Sequence, residues 1–307
     1  MILAKVKFLI KGYSSPKPFS ISEYDKCVDY DIEVVSKWIA HLKKYLGQEG
    51  DKLQNKTVLE LGPGSDLGIG LYLISKGVIQ YIAVDVNNLV ESVPLEFYDK
   101  LFNKIGRIDS QADTGLLHEQ LVKTQQGNND RLNYICRDDF DIVKAVGLSK
   151  IDIIFSQAAF EHFDDVDETV RKLSEIARVG SVIVAEIDLK THTRWIRDKD
   201  PNNIYRYPNW FYRLFSFRGI PNRIRPYQYR ECFERHGWSN VTIEPLNVLT
   251  AEYLEETKNS LSDEFRGPGK QMNCLSVLLC ATRSQSSMKI AQSLPVACRP
   301  DIENTFS

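Results

Sequence analysis

The amino-acid sequence predicts an α/β protein built on a doubly wound, mostly parallel sheet of seven strands. Three observations carry the prediction. Short apolar runs alternate with stretches of helical periodicity. A glycine-rich turn joins the first such run to a helix. The second run closes on an aspartate, Asp85.

Taken in order, residues 22–46 place Tyr24, Val28, Ile32, Val35, Trp38, Ile39, Leu42 and Leu46 at helical spacing, with Ser22 as cap and Gly47 as stop. This is an N-terminal helix docked on the main domain. Residues 57–61 form the first strand, 67–76 a helix closed by Gly77, and 79–84 the second strand. Residues 132–136, 151–155 and 181–187 are the third, fourth and fifth strands. Between the last two, 166–179 reads as a helix stopped by Gly180. Residues 241–245 and 275–281 complete the seven strands.

Two stretches interrupt the alternation. Residues 91–131 are polar and helical in places. Residues 190–230 are rich in arginine and hold Trp195, Tyr205, Tyr207, Trp210, Phe211, Tyr212, Phe215, Phe217, Tyr227 and Tyr229. Loops beyond strand ends carry function in such folds, so both are expected to cap a substrate. Three units result: an N-terminal segment and helix (1–50), the α/β domain (51–283) and a disordered tail (284–307).

Composition narrows the class. Of 307 residues, 43% are hydrophobic and 26% charged, enough for a sizeable core without disulfides. A formal charge of −2 gives no general attraction to nucleic acid or anionic membrane. The six cysteines (Cys27, Cys136, Cys232, Cys274, Cys280 and Cys298) form no CxxC pair and no zinc-like cluster, which fits a reducing, cytoplasmic setting. The opening apolar run is broken by Lys5, Lys7 and Lys11, and no segment approaches the roughly 20 apolar residues of a membrane helix.

The chemistry concentrates in Val58-Leu59-Glu60-Leu61-Gly62-Pro63-Gly64-Ser65-Asp66-Leu67-Gly68-Ile69-Gly70. Gly62 and Gly64 let the backbone turn tightly and approach a ligand. The helix behind them favours a negative group at its N-terminus. Asp85 stands where a carboxylate accepts ribose hydroxyls in this fold. A nicotinamide or flavin site, or a turn with no ligand, would use the same glycines. Leu67 at the third glycine position breaks the strict dinucleotide spacing, and Glu60 adds an acid two residues before the turn.

With VLELGPGSDLGIG (58–70), AVDV (83–86), IDIIFSQAAFEHF (151–163) and AEIDLKTH (185–192), the chain resembles the class I S-adenosylmethionine (SAM)-dependent methyltransferases over residues 55–282. Within them it is most similar to a methyltransferase-domain group often found with bacterial surface-polysaccharide genes. The resemblance implies a Rossmann-like sheet whose last strand is antiparallel, with SAM as cofactor. Glu60, Gly62, Pro63 and Gly64 would line its methionine part, and Asp85 with Val86 its ribose. Asp139, or its neighbour Asp138, together with Phe140 would meet the adenine. Ser156 and Gln157 would present backbone groups beside the sulfonium.

Methyl transfer to a hydroxyl also needs a base, and histidine suits neutral pH. His192 follows the fifth strand, with Asp188 as an orienting partner, and His162 follows the fourth; His192 ranks first. Asp164, Asp165 and Asp167 open a helix, where acids need no metal, so no metal is expected. The expected activity is O-methylation of a sugar, nucleotide sugar or other small hydroxyl compound. Aromatics that stack on sugars and arginines that fork onto phosphates suit it. A methyltransferase for RNA or protein, and a non-catalytic binding module, are the alternatives; the charge disfavours nucleic acid.

Overall fold

The computed structural model describes residues 2–11 and 20–285. The expected tail (284–307) falls outside them beyond residue 285, as does Cys298. Seven strands form one sheet: β1 (Thr57–Leu61), β2 (Gln80–Asp85), β3 (Leu132–Cys136), β4 (Ile151–Gln157), β5 (Ala177–Asp188), β6 (Trp238–Val248) and β7 (Cys274–Arg283). Their order is β3-β2-β1-β4-β5-β7-β6; the first five are parallel, and β7 pairs antiparallel with both β5 and β6. Chain order reverses between β1 and β4, so a crevice opens at their carboxyl ends.

The strands are apolar on both faces because helices cover both. Alternate residues divide between two cores. Val58, Tyr81, Ala83, Phe155 and Val184 point to one face, with α2 (Tyr24–Leu46), α3 (Gly68–Ser75), α4 (Leu95–Ile108) and α5 (Thr114–Gln125). Leu59, Leu61, Ile82, Val84 and Ile154 point to the other, with α6 (Ile142–Val146), α7 (Val166–Ile176) and the later helix Pro226–Arg235. Trp38 of α2 lies flat on Phe155, ring centroids 4.4 Å apart, and locks that helix to β4.

One element is added to the expected set, and three expectations need correction. A helix, α1 (Ile2–Lys11), occupies the opening apolar run; Phe8 stacks on Phe217 at 4.7 Å, and Lys5 Nζ donates to the Leu214 carbonyl at 2.7 Å. The helix expected over 166–179 ends at Ile176, because Ala177 already pairs with Ile151. Gly180, at φ +87°, accommodates the register shift that brings Val182 opposite Ile153. Residues 91–131 form no cap: the apolar stripe Phe97, Tyr98, Leu101, Phe102 and Ile105 of α4 belongs to the core.

The 190–230 segment builds a small core of its own. Ile204, Tyr205 and Tyr212 pack with Leu261, Phe265 and Met272. Arg223, 5% exposed, lies over Tyr212 and Phe265, and Arg225 is fully buried against Tyr205. Much of that aromatic and arginine content is thus packing, while Trp195 and Trp210 stay exposed. Among the described residues, no helix is long and apolar enough to cross a membrane.

Candidate active site

A cleft of about 860 Å³ opens at the carboxyl ends of β1, β2 and β4. Of the residues picked out from sequence, Glu60, Gly62, Pro63, Gly64, Asp85, Val86, Asp139, Phe140, Gln157 and His162 line it. Ser156, Asp188 and His192 do not.

The turn after β1 is shaped for close backbone approach. Gly62 has φ +72° and Gly64 +80°, and a Cβ on Gly62 would sit 2.7 Å from the Ala159 methyl. Beyond it, Asp66 Oδ1 accepts the Gly68 N–H at 2.8 Å and caps α3, while Leu67 is buried in the core. This explains why leucine replaces the third glycine: the position packs and does not face a ligand.

Around the turn, four carboxyl groups are almost completely buried: Asp31, Glu60, Asp66 and Asp85. Burial pushes Glu60 up to about 8, offset in part by the Tyr81 hydroxyl that donates to its Oε2. Its Oε1 is buried without a partner. Asp31, on α2, bonds to Asp66, and burial followed by the Asp66 charge raises it well above the carboxylate range. Burial raises Asp66 as well, so the two carboxyl groups titrate as a pair. Asp85 Oδ1 accepts the N–H groups of Val86 (2.6 Å) and Asn87 (2.9 Å), which fixes the carboxylate at the strand end.

Asp139 is exposed, clasped by Arg137 Nε and Nη2 at 2.9 and 2.8 Å, and that pairing holds its carboxyl well below the usual range. Asp138 lines the cleft beside it, and its carbonyl accepts from Arg218. Phe140, at φ +45°, meets Phe163 at 5.0 Å. Gln157 is held from two sides: Trp38 Nε1 donates to its Oε1 at 3.2 Å and its own Nε2 donates to Glu186 at 2.8 Å. Ser156 is fully buried below the cleft floor, its hydroxyl donating to the Leu61 carbonyl at 3.2 Å.

The two histidines stand differently toward the cleft. His162 lines the cleft; its Nδ1 contacts the Gly219 carbonyl at 2.7 Å, and burial lowers its pKa. His192 stands behind it, ring centroids 4.8 Å apart, and burial with His162 nearby pushes it down to about 4. Asp188 is 3.8 Å from His192 Nε2, beyond hydrogen-bond reach, and is held instead by Arg197 Nη2 at 2.6 Å and the Lys190 N–H at 3.0 Å. His192 is thus a weak base that does not itself line the cleft.

Sequence reasoning passed over Asp31, Tyr30, Phe8 and Arg218, all of which line the cleft. For Asp31 a signal existed: it falls on the buried stripe of α2 with Tyr24, Val28, Val35, Trp38 and Leu42. An acid on such a stripe is buried only for a reason.

The chain matches the methyltransferase-domain family over residues 30–243 and belongs to it. Its cofactor is SAM. A search of curated proteins finds no match. Among solved structures, it is similar to the CurJ carbon methyltransferase: 13% identity, TM-score 0.42, covering 81% of this chain and 55% of that one. Phosphoethanolamine N-methyltransferase 2 of Haemonchus contortus, in complex with SAM, shows 12% identity and a TM-score of 0.44 over 93% of this chain and 58% of that one. A SAM-dependent methyltransferase of Mesorhizobium loti shows 11% identity and 0.42 over 80% and 96%.

Proposed function

We propose that the protein transfers the SAM methyl group to a hydroxyl of a small, sugar-like or nucleotide-sugar acceptor. The carrying observation is His162: a cleft-lining histidine with one ring nitrogen tied to the backbone and its pKa lowered, hence neutral at pH 7. A hydroxyl must lose its proton as the methyl arrives, whereas an amine attacks with a free lone pair. A neutral imidazole with one nitrogen occupied is suited to take that proton on the other.

In the reaction, the acceptor oxygen attacks the methyl carbon in line with the departing sulfur. The C–O bond forms, the C–S bond breaks, and its electron pair returns to sulfur. The sulfonium is already activated, so the protein's share is alignment, water exclusion and proton removal; alignment alone can supply roughly 7–11 kcal/mol. The buried acids around the glycine turn offer acceptors to the ammonium and ribose hydroxyls of SAM. Phe8, Tyr30 and Phe163 give the cleft aromatic faces for a sugar, and Arg218 and Lys26 give it cations for a phosphate.

The test is methyl transfer from labelled SAM to a panel of sugars, nucleotide sugars, amines and RNA, with products identified by mass spectrometry. Methyl ethers on the sugar compounds support the reading. Methylation confined to nitrogen, carbon or RNA refutes it.

A further inference from the structure

We propose that Glu161, His162 and His192 hold a divalent metal ion at the acceptor end of the cleft. Each of the three offers one ligand atom, and these atoms lie within 4.8 Å of one another. The topology brings them together. Glu161 and His162 sit on the 3-10 turn after β4, and His192 on the loop after β5, the neighbouring parallel strand.

The environment of Glu161 gives an independent reason. Its side chain is 1% exposed, and neither carboxylate oxygen has a hydrogen-bond partner. The backbone N–H groups of Glu161 and Asp188 ease its burial, but neither reaches hydrogen-bonding geometry. A buried carboxyl group left unpaired is costly and calls for a counter-charge. The cations nearby are engaged elsewhere: Arg197 and Lys190 both face Asp188. His192 Nε2 is likewise buried without a partner. A cation among these three groups satisfies all of them at once.

Two imidazoles and one carboxylate select zinc, manganese, iron(II), cobalt or nickel over calcium and magnesium. The contact between His162 Nδ1 and the Gly219 carbonyl is the kind of backbone bond that orients a ligand histidine. Metal ligands at about 2.1 Å from an ion require the donors to draw together by small rotations. Three protein ligands leave coordination positions open, and His162 sets them facing the cleft. The site itself needs no particular acceptor; its use in catalysis rests on the hydroxyl reading above. An ion held there would occupy the His162 ring nitrogen that otherwise takes the proton, and would itself acidify a bound hydroxyl.

The test is calorimetric titration of the EDTA-dialysed full-length protein with Zn2+ and Mn2+. S-adenosylhomocysteine (SAH) is titrated in parallel as a check on the fold. The expected result is one ion bound per chain, weakened about tenfold or more in Glu161→Gln and His192→Asn, with SAH affinity preserved. Asp167→Ala, which disrupts a different cluster of Asp167, Cys232 and His236, leaves ion binding unchanged. Absence of stoichiometric binding to the wild type overturns the proposal. So does undiminished binding in both Glu161→Gln and His192→Asn, or loss of binding in Asp167→Ala. None of these outcomes depends on the acceptor, so failure of the metal site and failure of the O-methylation reading are separately visible.

Discussion

The two halves of the cleft are built on different principles. The cofactor half is carried by β1, β2 and α2, and its ionisable groups are almost sealed: Asp31, Glu60, Asp66 and Asp85 are each no more than 9% exposed. The half proposed for the acceptor is carried by the loop after β4 and by the 190–230 segment, from which Arg218 and Gly219 reach the cleft. The first half holds four buried carboxyl groups, each raised by burial, in a rigid frame, and suits a ligand that brings a cation and hydrogen-bond donors. The second half combines a histidine pair with exposed aromatic and basic groups, and its specificity can change without disturbing the sheet. A division of this kind separates what is constant in the chemistry from what varies.

Substitutions can test the division. The largest effect is expected from His162→Ala. It should lower kcat by about 10²–10⁴ while leaving SAH affinity nearly unchanged, measured by initial rates and calorimetry. Equal losses in both would mean that the halves are not independent. Next, Asp66→Asn should weaken SAM binding by about tenfold, since its carboxylate holds the Gly68 N–H beside the turn, whereas Asp31→Asn, on the carboxyl raised well above the carboxylate range, should have less effect. Comparable losses in the two variants would contradict this difference.

A smaller effect concerns stability. The Glu60 pKa, about 8 in the folded protein against 4.5 ordinarily, is raised. Its favourable contribution is therefore full below pH 4.5 and is lost as pH rises through 8. Glu60→Gln should gain on the wild type by several °C in Tm between pH 5.5 and about 8.5, measured by calorimetry of the ligand-free proteins. A constant difference would show that Glu60 is not the group that titrates. The smallest effect is expected from Arg218→Ala: a rise of about two- to fivefold in KM for phosphorylated acceptors alone, with SAM affinity unchanged.

Much of this architecture was legible in the sequence because it is local. β1 and β3 coincide with the predicted runs, since short apolar strands bounded by turns leave little choice of register. Gly62, Gly64, Glu60 and Asp85 were legible for the same reason: strand, turn and helix are contiguous. What was not legible depends on contacts between distant segments. Asp31 reaches Asp66 only because α2 packs against α3. The order of His162 and His192 is decided by which loop stands in front, and the Gly219 carbonyl that holds His162 is 57 residues away in the chain. The aromatic and arginine content of 190–230 reads the same in sequence whether it binds a ligand or packs, and Arg225 and Tyr205 turn out to pack. β6 and β7 extend past their apolar stretches because antiparallel pairing continues into polar residues such as Ser239, Asn247 and Thr282.

The central claim, a SAM cradle with Asp85 on the ribose, is tested most directly by titrating the wild type and Asp85→Ala with SAM, SAH and NAD in a calorimeter. The account predicts binding of both adenosyl ligands to the wild type, no binding of NAD, and a loss of about 100-fold in the variant as two hydroxyl hydrogen bonds to a carboxylate disappear. Binding of NAD in place of SAM, or SAM affinity unaffected by the loss of Asp85, would contradict it.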